Sequence, residues 1–345
     1  MPKTITMSQI AKELDLNRTT VSYIINGHGE KRGYASETIE RVNNYLKEKG
    51  YVPSRQAVAL KNGHHTSIGV LHCGHLYSHL TDAFNRMSDH INQDPEAVEY
   101  QIVPRPQLTK GIRELRARRV SKLVWVHTQN AQREFNDPEI FNYITNFDTV
   151  VIYNYHFSPE DNSKELLKRG YNLVGIDRVG GYRQLAAFLY KLGHRCVVLP
   201  DIGSQELRSE IMQEAGIKTV ISETKDAFDL SNSKRAQSIV KGVLGAIKKE
   251  KATAACLHSD ELAGYLMKEL QQQGVRIPDD LTVTGYDGLP IAEVFSPPLT
   301  TLSVPVEKMV GQVKNLLAGK SKGERHCYKM GLVKRFSHTR SGIQK

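Results

Sequence analysis

The first sixty residues alternate apolar and polar positions at helical spacing in three short blocks, whereas the rest of the chain is built on short, unbroken apolar runs. In the opening block Ile10, Ala11 and Leu14 share one face of a helix that Thr6 or Ser8 can cap. Asp15-Leu16-Asn17 interrupts the run, and Leu16 can plug the angle between this helix and the next. Asn17 is a favourable N-cap for a second helix in which Val21, Ile24 and Ile25 face inward. Its outward face then carries Arg18, Thr19, Ser22 and Tyr23. A third amphipathic helix is expected over 36–51, where Ile39, Val42, Leu46 and Tyr51 can close a small core and Gly50 is a natural stop. The arrangement fits a helix-turn-helix, in which early residues of the second helix meet base edges while caps and hydroxyls meet phosphates. An amphipathic helical hairpin with a solvated polar face shows the same pattern.

The next segment, YVPSRQAVALKNG, begins with a proline and continues with good helix formers from Arg55 to Lys61. Seven residues are too few for a stable isolated helix in water, so such a piece folds only on a partner. From Thr66 the pattern changes. TSIGVLHC, EYQIVP, KLVWVHT, DTVVIYN, NLVGID, RCVVLP, AACLHS and LTVTGYD are strand-like runs, most of them separated by stretches of helical composition. Alternation of this kind predicts doubly wound parallel sheets that bind ligands outside the carboxyl ends of their strands. The strands group as roughly 66–155 and 173–290, which suggests two similar lobes around a cleft.

Residues 4–63 resemble the headpiece and hinge of the LacI/GalR family of bacterial transcription repressors. The core carries further marks of that family: GIDRVGGYRQLAAFLYKLGHR with Gly193, His194 and Arg195, the Asp-containing turn HSDELAG, the Pro-Asp-Asp before LTVTGYD, the crossover PPLTT, and a terminal LVKRFSHT as the last strand. The resemblance implies an α/β protein with a three-helix headpiece (1–53), a hinge (54–65) and a periplasmic-binding-protein-like core of two interleaved lobes (66–345). In that family paired hinge helices enter the minor groove and a leucine wedges between base steps. Position by position, Arg18, Thr19 and Tyr23 fall on base-reading sites, Leu60 on the wedge, and Ala57 on the small residue that lets paired hinges approach. The expected DNA-contacting set is Thr6, Asn17, Arg18, Thr19, Thr20, Ser22, Tyr23, Asn26, Ser54, Arg55, Ala57 and Leu60. Arg18 is suited to a bidentate contact with guanine.

Two departures bear on specificity. Tyr23 stands where many members have arginine, so the half-site is not inferred from the family's common one. The turn GHGEKRGYAS is also longer than in the best-known members, and Lys31 and Arg32 there offer phosphate contacts or a merely solvated loop.

For the cleft, the resemblance implies a small sugar-like effector met by Tyr77, Asn154, Arg208, Ser259, Asp260 and Asp287. Asp260 also suits a helix cap, and Asp287 a turn. His72, His75, Tyr77 and His79 are metal-compatible by type, but a polar cleft rim in which Tyr77 stacks on a sugar is the simpler reading. No metal or cofactor is expected.

The formal charge of +10 suits a polyanion such as double-stranded DNA, and residues 1–63 hold ten Lys or Arg against six Asp or Glu. Cys73, Cys196, Cys256 and Cys327 are scattered, with no metal or disulfide spacing. GIDRVGG lacks a phosphate-binding glycine pattern, and neither a P-loop nor a nucleophile elbow occurs, so an enzyme is not expected. MPKTITMSQI has no apolar signal region and no run approaches a membrane span, so the expected location is the bacterial cytoplasm, at the nucleoid. The expected protein is a homodimeric repressor of a palindromic operator. A solute-binding protein, or a regulator that no longer responds to an effector, is the alternative.

Overall fold

The computed structural model describes residues 5–49, 67–73, 78–91, 97–103, 107–127, 138–157, 161–201, 205–223, 233–319 and 321–340. The chain divides into two compact units, residues 1–65 and 66–345.

The first unit contains α1 (Met7–Glu13), α2 (Arg18–Ile25), a 3-10 turn (Glu30–Arg32) and α3 (Ser36–Glu48). Thr6 rather than Ser8 caps α1. Its hydroxyl accepts from the Gln9 amide at 3.3 Å while Gln9 Oε1 accepts from the Thr6 amide at 2.8 Å, a reciprocal capping box. Asn17 occupies the N-cap position of α2, but its side chain makes no capping bond. Ile10, Ala11 and Val21 form the centre of the small core, with Leu14, Leu16, Ile25, Tyr45 and Leu46 packed around them. Arg41 donates to the Leu14 carbonyl at 2.6 Å and ties α3 to the end of α1. The helix expected over 36–51 ends at Glu48, with Lys49 as its C-cap; Gly50 and Tyr51 lie outside the described residues.

The second unit holds two six-stranded sheets. The first has the order β2 (Ala97–Val103), β1 (Ser67–Cys73), β3 (Lys122–Val126), β4 (Thr149–His156), β5 (Asn172–Asp177) and β11 (Arg325–Lys329), all parallel. The second runs β7 (Lys218–Ser222), β6 (Cys196–Pro200), β8 (Ala254–Cys256), β9 (Thr282–Asp287), β10 (Thr300–Ser303) and β12 (Gly331–Val333), with β12 antiparallel to β10. Helices α4 (Ser78–Ile91), α5 (Leu108–Ala117), α6 (Pro138–Ile144) and α7 (Ser163–Lys168) accompany the first sheet in sequence. Along the second come α8 (Arg178–Lys191), α9 (Gln205–Glu214), α10 (Ser233–Glu250), α11 (Asp260–Gln272), α12 (Ile291–Val294) and α13 (Val306–Ala318).

The division of strands corrects the sequence grouping in two places. NLVGID is the fifth strand of the first sheet, not the first strand of the second, and β11 returns to that sheet after the second is nearly complete. The lobes are therefore interleaved. β3, β4, β5, β6 and β9 are buried almost throughout, as parallel strands covered on both faces must be. β7 and β11 are edge strands with exposed and half-exposed positions, and neither stood out as an apolar run. Tyr182, Leu185 and Leu189 of α8, with Met309, Val310 and Val313 of α13, belong to one buried cluster that includes strand residues of both sheets.

Candidate functional site

On α2, Val21 and Ile24 are buried, and this burial directs Thr19, Ser22, Tyr23 and Asn26 to the opposite side of the helix. Arg18 and Thr19 are exposed; Thr20, Ser22, Tyr23 and Asn26 are half-buried. Asn26 donates to the Ser22 carbonyl at 2.6 Å, fixing its amide at the end of the helix. The unit thus presents a cationic and hydroxyl-bearing surface on a helix seated by its buried Val21 and Ile24. Ser54, Arg55, Ala57 and Leu60 lie outside the described residues.

In the core, a chain of polar contacts runs along the carboxyl ends of both sheets. It begins where β4 bulges against β5. The register shifts between Tyr153 and Tyr155, leaving Asn154 at φ +63°, buried, with its amide donating to the His127 carbonyl at 3.1 Å. Gly175 on β5 makes this possible, because a Cβ there would lie 1.9 Å from the Tyr155 carbonyl oxygen. The His127 and His156 rings meet edge to face at 5.4 Å. Arg178, the first residue of α8, donates from Nη1 to His156 Nδ1 at 3.1 Å and from Nη2 to the Tyr182 hydroxyl at 3.2 Å. Tyr182 in turn lies against Tyr286, with ring centroids 5.6 Å apart, and Tyr286 precedes Asp287 at the end of β9.

Arg208 joins this group from α9. It is 2% exposed and donates from Nη2 to the Pro200 carbonyl at 3.1 Å, with Nη1 3.5 Å from the Cys256 carbonyl, so it spans the ends of β6 and β8. Burial lowers the Arg208 pKa from the usual arginine value, and the field of Arg178 adds to that effect. His258 is pushed well below the usual histidine range by burial first and then by Arg208 and Arg178, which keeps its ring neutral at physiological pH. Burial raises the Tyr286 phenol, so it serves as a neutral hydroxyl. Two guanidiniums, three imidazoles and two phenols are thus gathered at the strand ends, groups of the kind that hydrogen-bond a polar ligand in a doubly wound fold.

The remaining expected cleft residues divide by role. Ser259 is the N-cap of α11, its hydroxyl accepting from the Leu262 amide at 3.1 Å. Asp260 is therefore not the cap that its sequence position suggested. It is fully buried and accepts from the Leu289 amide at 2.7 Å and the Thr301 hydroxyl at 2.5 Å. Asp287, at φ +104°, borders a cleft of about 300 Å³ shared with Asp82, Arg86 and Ser303. His72 is fully buried beneath the first sheet's strand ends, edge to face with Phe84 at 5.9 Å, and does not form a rim. His75 and Tyr77 lie outside the described residues, as does the side chain of His79.

Of the residues gathered here, Asn154, Arg208 and Asp287 were expected from the sequence, whereas His127, His156, Arg178, Tyr182, His258 and Tyr286 were not. The missed residues nevertheless share one signal. Most directly follow or end an apolar strand run (VWVHT, VIYNYH, VGIDR, ACLHS, VTGYD), where a doubly wound sheet offers side chains to a ligand. Among the described residues no helix is long and apolar enough to cross a membrane.

Residues 180–334 match the periplasmic binding protein-like domain family. Over nearly its whole length the chain is similar to curated regulators. It is 26% identical over 336 residues to the HTH-type transcriptional repressor PurR of Vibrio atlanticus, covering 93% of each protein. It is 27% identical over 331 residues to the ribose operon repressor of Haemophilus influenzae, covering 90% of this chain and 92% of that one. The fold is similar to that of the lac repressor dimer solved with operator and the anti-inducer ONPF, with a TM-score of 0.74 at 20% identity over 98% of this chain and 100% of the other.

Proposed function

Because this chain belongs to the LacI/GalR family of bacterial transcription regulators, we propose that it is a repressor whose headpiece binds double-stranded operator DNA under control of a small molecule in the core cleft. The observation that carries this reading is the face of α2 opposite Val21 and Ile24. A helix packed through Val21 and Ile24 offers Arg18, Thr19, Ser22 and Tyr23 together, the side-chain types that read base edges and grip phosphates. The relatives' names, PurR repressor and ribose operon repressor, support transcriptional control, and the lac repressor complex supports operator binding by this fold.

In this reading the protein acts in the cytoplasm as a homodimer on a palindromic site. Each α2 enters a major groove from Asn17 onward. The hinge segment 54–65, with Ser54, Arg55, Ala57 and Leu60, pairs with its twin in the central minor groove, where Leu60 wedges between base steps. The effector is a sugar or sugar derivative whose hydroxyls meet Asn154, Arg208 and Asp287, with Arg178 and Tyr182 extending the same surface. The protein regulates by binding rather than by turnover.

Selection of bound sites from a randomised DNA pool tests the proposal, repeated at a salt concentration that suppresses purely electrostatic binding. Enrichment of a palindrome with a deformable central step is expected. Failure to enrich any sequence, with and without a library of candidate effectors, overturns it.

A further inference from the structure

We propose that Arg32, which lies outside the recognition helix, is a base-reading residue that acts together with Tyr23 as one composite element specifying a guanine in each half-site. The inference rests on the operator-binding reading above and adds to it a residue and a base.

The geometry starts with the turn 27–34. Its path is fixed by the backbone: the His28 amide donates to the Tyr23 carbonyl at 2.9 Å, the Arg32 amide to His28 at 3.1 Å and Gly29 at 3.2 Å, the Gly33 amide to Glu30 at 2.9 Å, and the Tyr34 amide to Gly29 at 3.2 Å. Gly29 is buried against Ile24 and Ile39, where a Cβ would meet Ile39 at 3.1 Å, so the turn is seated on the headpiece core. Gly33 closes it at φ +73°, a conformation that favours glycine. From this seat the Arg32 guanidinium carbon reaches 4.6 Å from the centroid of the Tyr23 ring. Tyr23 is half-buried on the side of α2 away from Val21 and Ile24, and Arg32 is exposed.

Stacking of a guanidinium on an aromatic face leaves the in-plane N–H fork available. It also restricts a side chain that otherwise loses much rotamer freedom on binding, so the bound geometry is prepared in the free protein. A prepared, planar fork on the groove-facing side of a recognition helix matches guanine O6 and N7. Read from sequence, Lys31 and Arg32 are interchangeable cations of one loop. The turn separates them by bringing Arg32 onto the ring of Tyr23.

The test uses the full-length protein and the site it selects from randomised DNA, with every base of one half-site varied in turn. Arg32→Ala is expected to lose discrimination for guanine at a single position by about 10-fold or more, with other positions unchanged. Arg32→Lys, which cannot form the planar fork, should lose most of the same preference. Tyr23→Phe, which keeps the ring, should retain the preference, while Tyr23→Ala should lose it at that same position. A loss of affinity spread evenly over all sequences, with a shallower salt dependence, assigns Arg32 to a phosphate and overturns the proposal. Unchanged binding overturns it as well. If the unmodified protein selects no site, the operator-binding reading itself fails, and that outcome is separate from any behaviour of Arg32.

Discussion

Asp260 and Leu289 are joined by a hydrogen bond of 2.7 Å from the Leu289 amide to a carboxylate that is completely buried. The bond links the first turn of α11 to the loop that follows β9, twenty-nine residues later, and the second carboxylate oxygen holds Thr301 of β10. Asp287 is the last residue of β9, immediately before that loop. A residue that matches a cleft position in sequence thus acts in this core by bracing the backbone around Asp287.

The brace has a pH signature. Burial is the largest influence on Asp260, partly opposed by the Thr301 bond and reinforced by the neighbouring Asp287 carboxylate, and its pKa is raised to about 7. Since the folded pKa lies above the ordinary value of 3.8, the unfolded chain releases its proton first as pH rises. The stability contributed by this group is full below about pH 4 and is lost as pH rises through about 7. Asp260→Asn, which keeps an acceptor but cannot ionise, should flatten that part of the stability profile in urea unfolding between these limits. Asp260→Ala should cost about 2–4 kcal/mol, because it leaves a buried amide and a buried hydroxyl without their acceptor. A profile for Asp260→Asn that parallels the unmodified protein would contradict the assignment.

Gly175→Ala should destabilise the core by about 3 kcal/mol, since the added methyl would lie 1.9 Å from the Tyr155 carbonyl oxygen and the β4 bulge would have to move. The bulge sets the left-handed conformation of Asn154, so ligand response should weaken with stability. Urea midpoints together with ligand-induced thermal shifts measure both effects. A variant with normal stability would show that the bulge tolerates a side chain.

How much of this was legible depended on whether a residue's role is local. The headpiece helices follow from spacing and capping, and Thr6, Val21 and Ile24 occupy the expected positions because short-range periodicity determines them. The buried strands were readable as apolar runs. β11 was not, because RHCYK is a polar edge strand whose place beside β5 depends on a pairing about 150 residues distant. The polar cluster at the strand ends was half legible for the same reason. Arg178 and Tyr182 look like an ordinary helix start until the fold brings His156 and Tyr286 to them.

A substitution at the proposed ligand-binding residues should separate ligand response from DNA binding. Asp287→Ala and Arg208→Met each remove a polar group from the strand ends of the second sheet. Asp287→Ala should abolish effector-dependent change in operator affinity while leaving affinity without effector within about 2-fold, a difference below ~0.4 kcal/mol. Arg208→Met should also lower stability, because the Pro200 and Cys256 carbonyls lose a shared donor. Operator titrations against a panel of sugars and phosphorylated sugars decide the matter. Retained response in Asp287→Ala would move the ligand elsewhere.

The Gly-His-Arg that ends α8 in sequence has a structural role that makes its own prediction. His194 is almost fully buried between Thr253 and the C-terminal segment, with Nδ1 2.9 Å from the Thr253 hydroxyl and Nε2 3.0 Å from the Thr339 carbonyl. A carbonyl only accepts, so Nε2 carries the proton and Nδ1 receives the Thr253 hydroxyl. Burial lowers the His194 pKa; the Thr339 carbonyl opposes this, and His338 and Arg195 reinforce it. The unfolded chain therefore takes up a proton first as pH falls below about 6.5, and stability declines from there toward the lower folded pKa. His194→Ala should cost about 1–3 kcal/mol at neutral pH through its two lost hydrogen bonds. It should also lose less stability than the unmodified protein between pH 7.5 and 5.5, as read from denaturant midpoints of the full chain. If the variant keeps the full acid-side decline, the ring is not the group that titrates, and the motif serves packing alone.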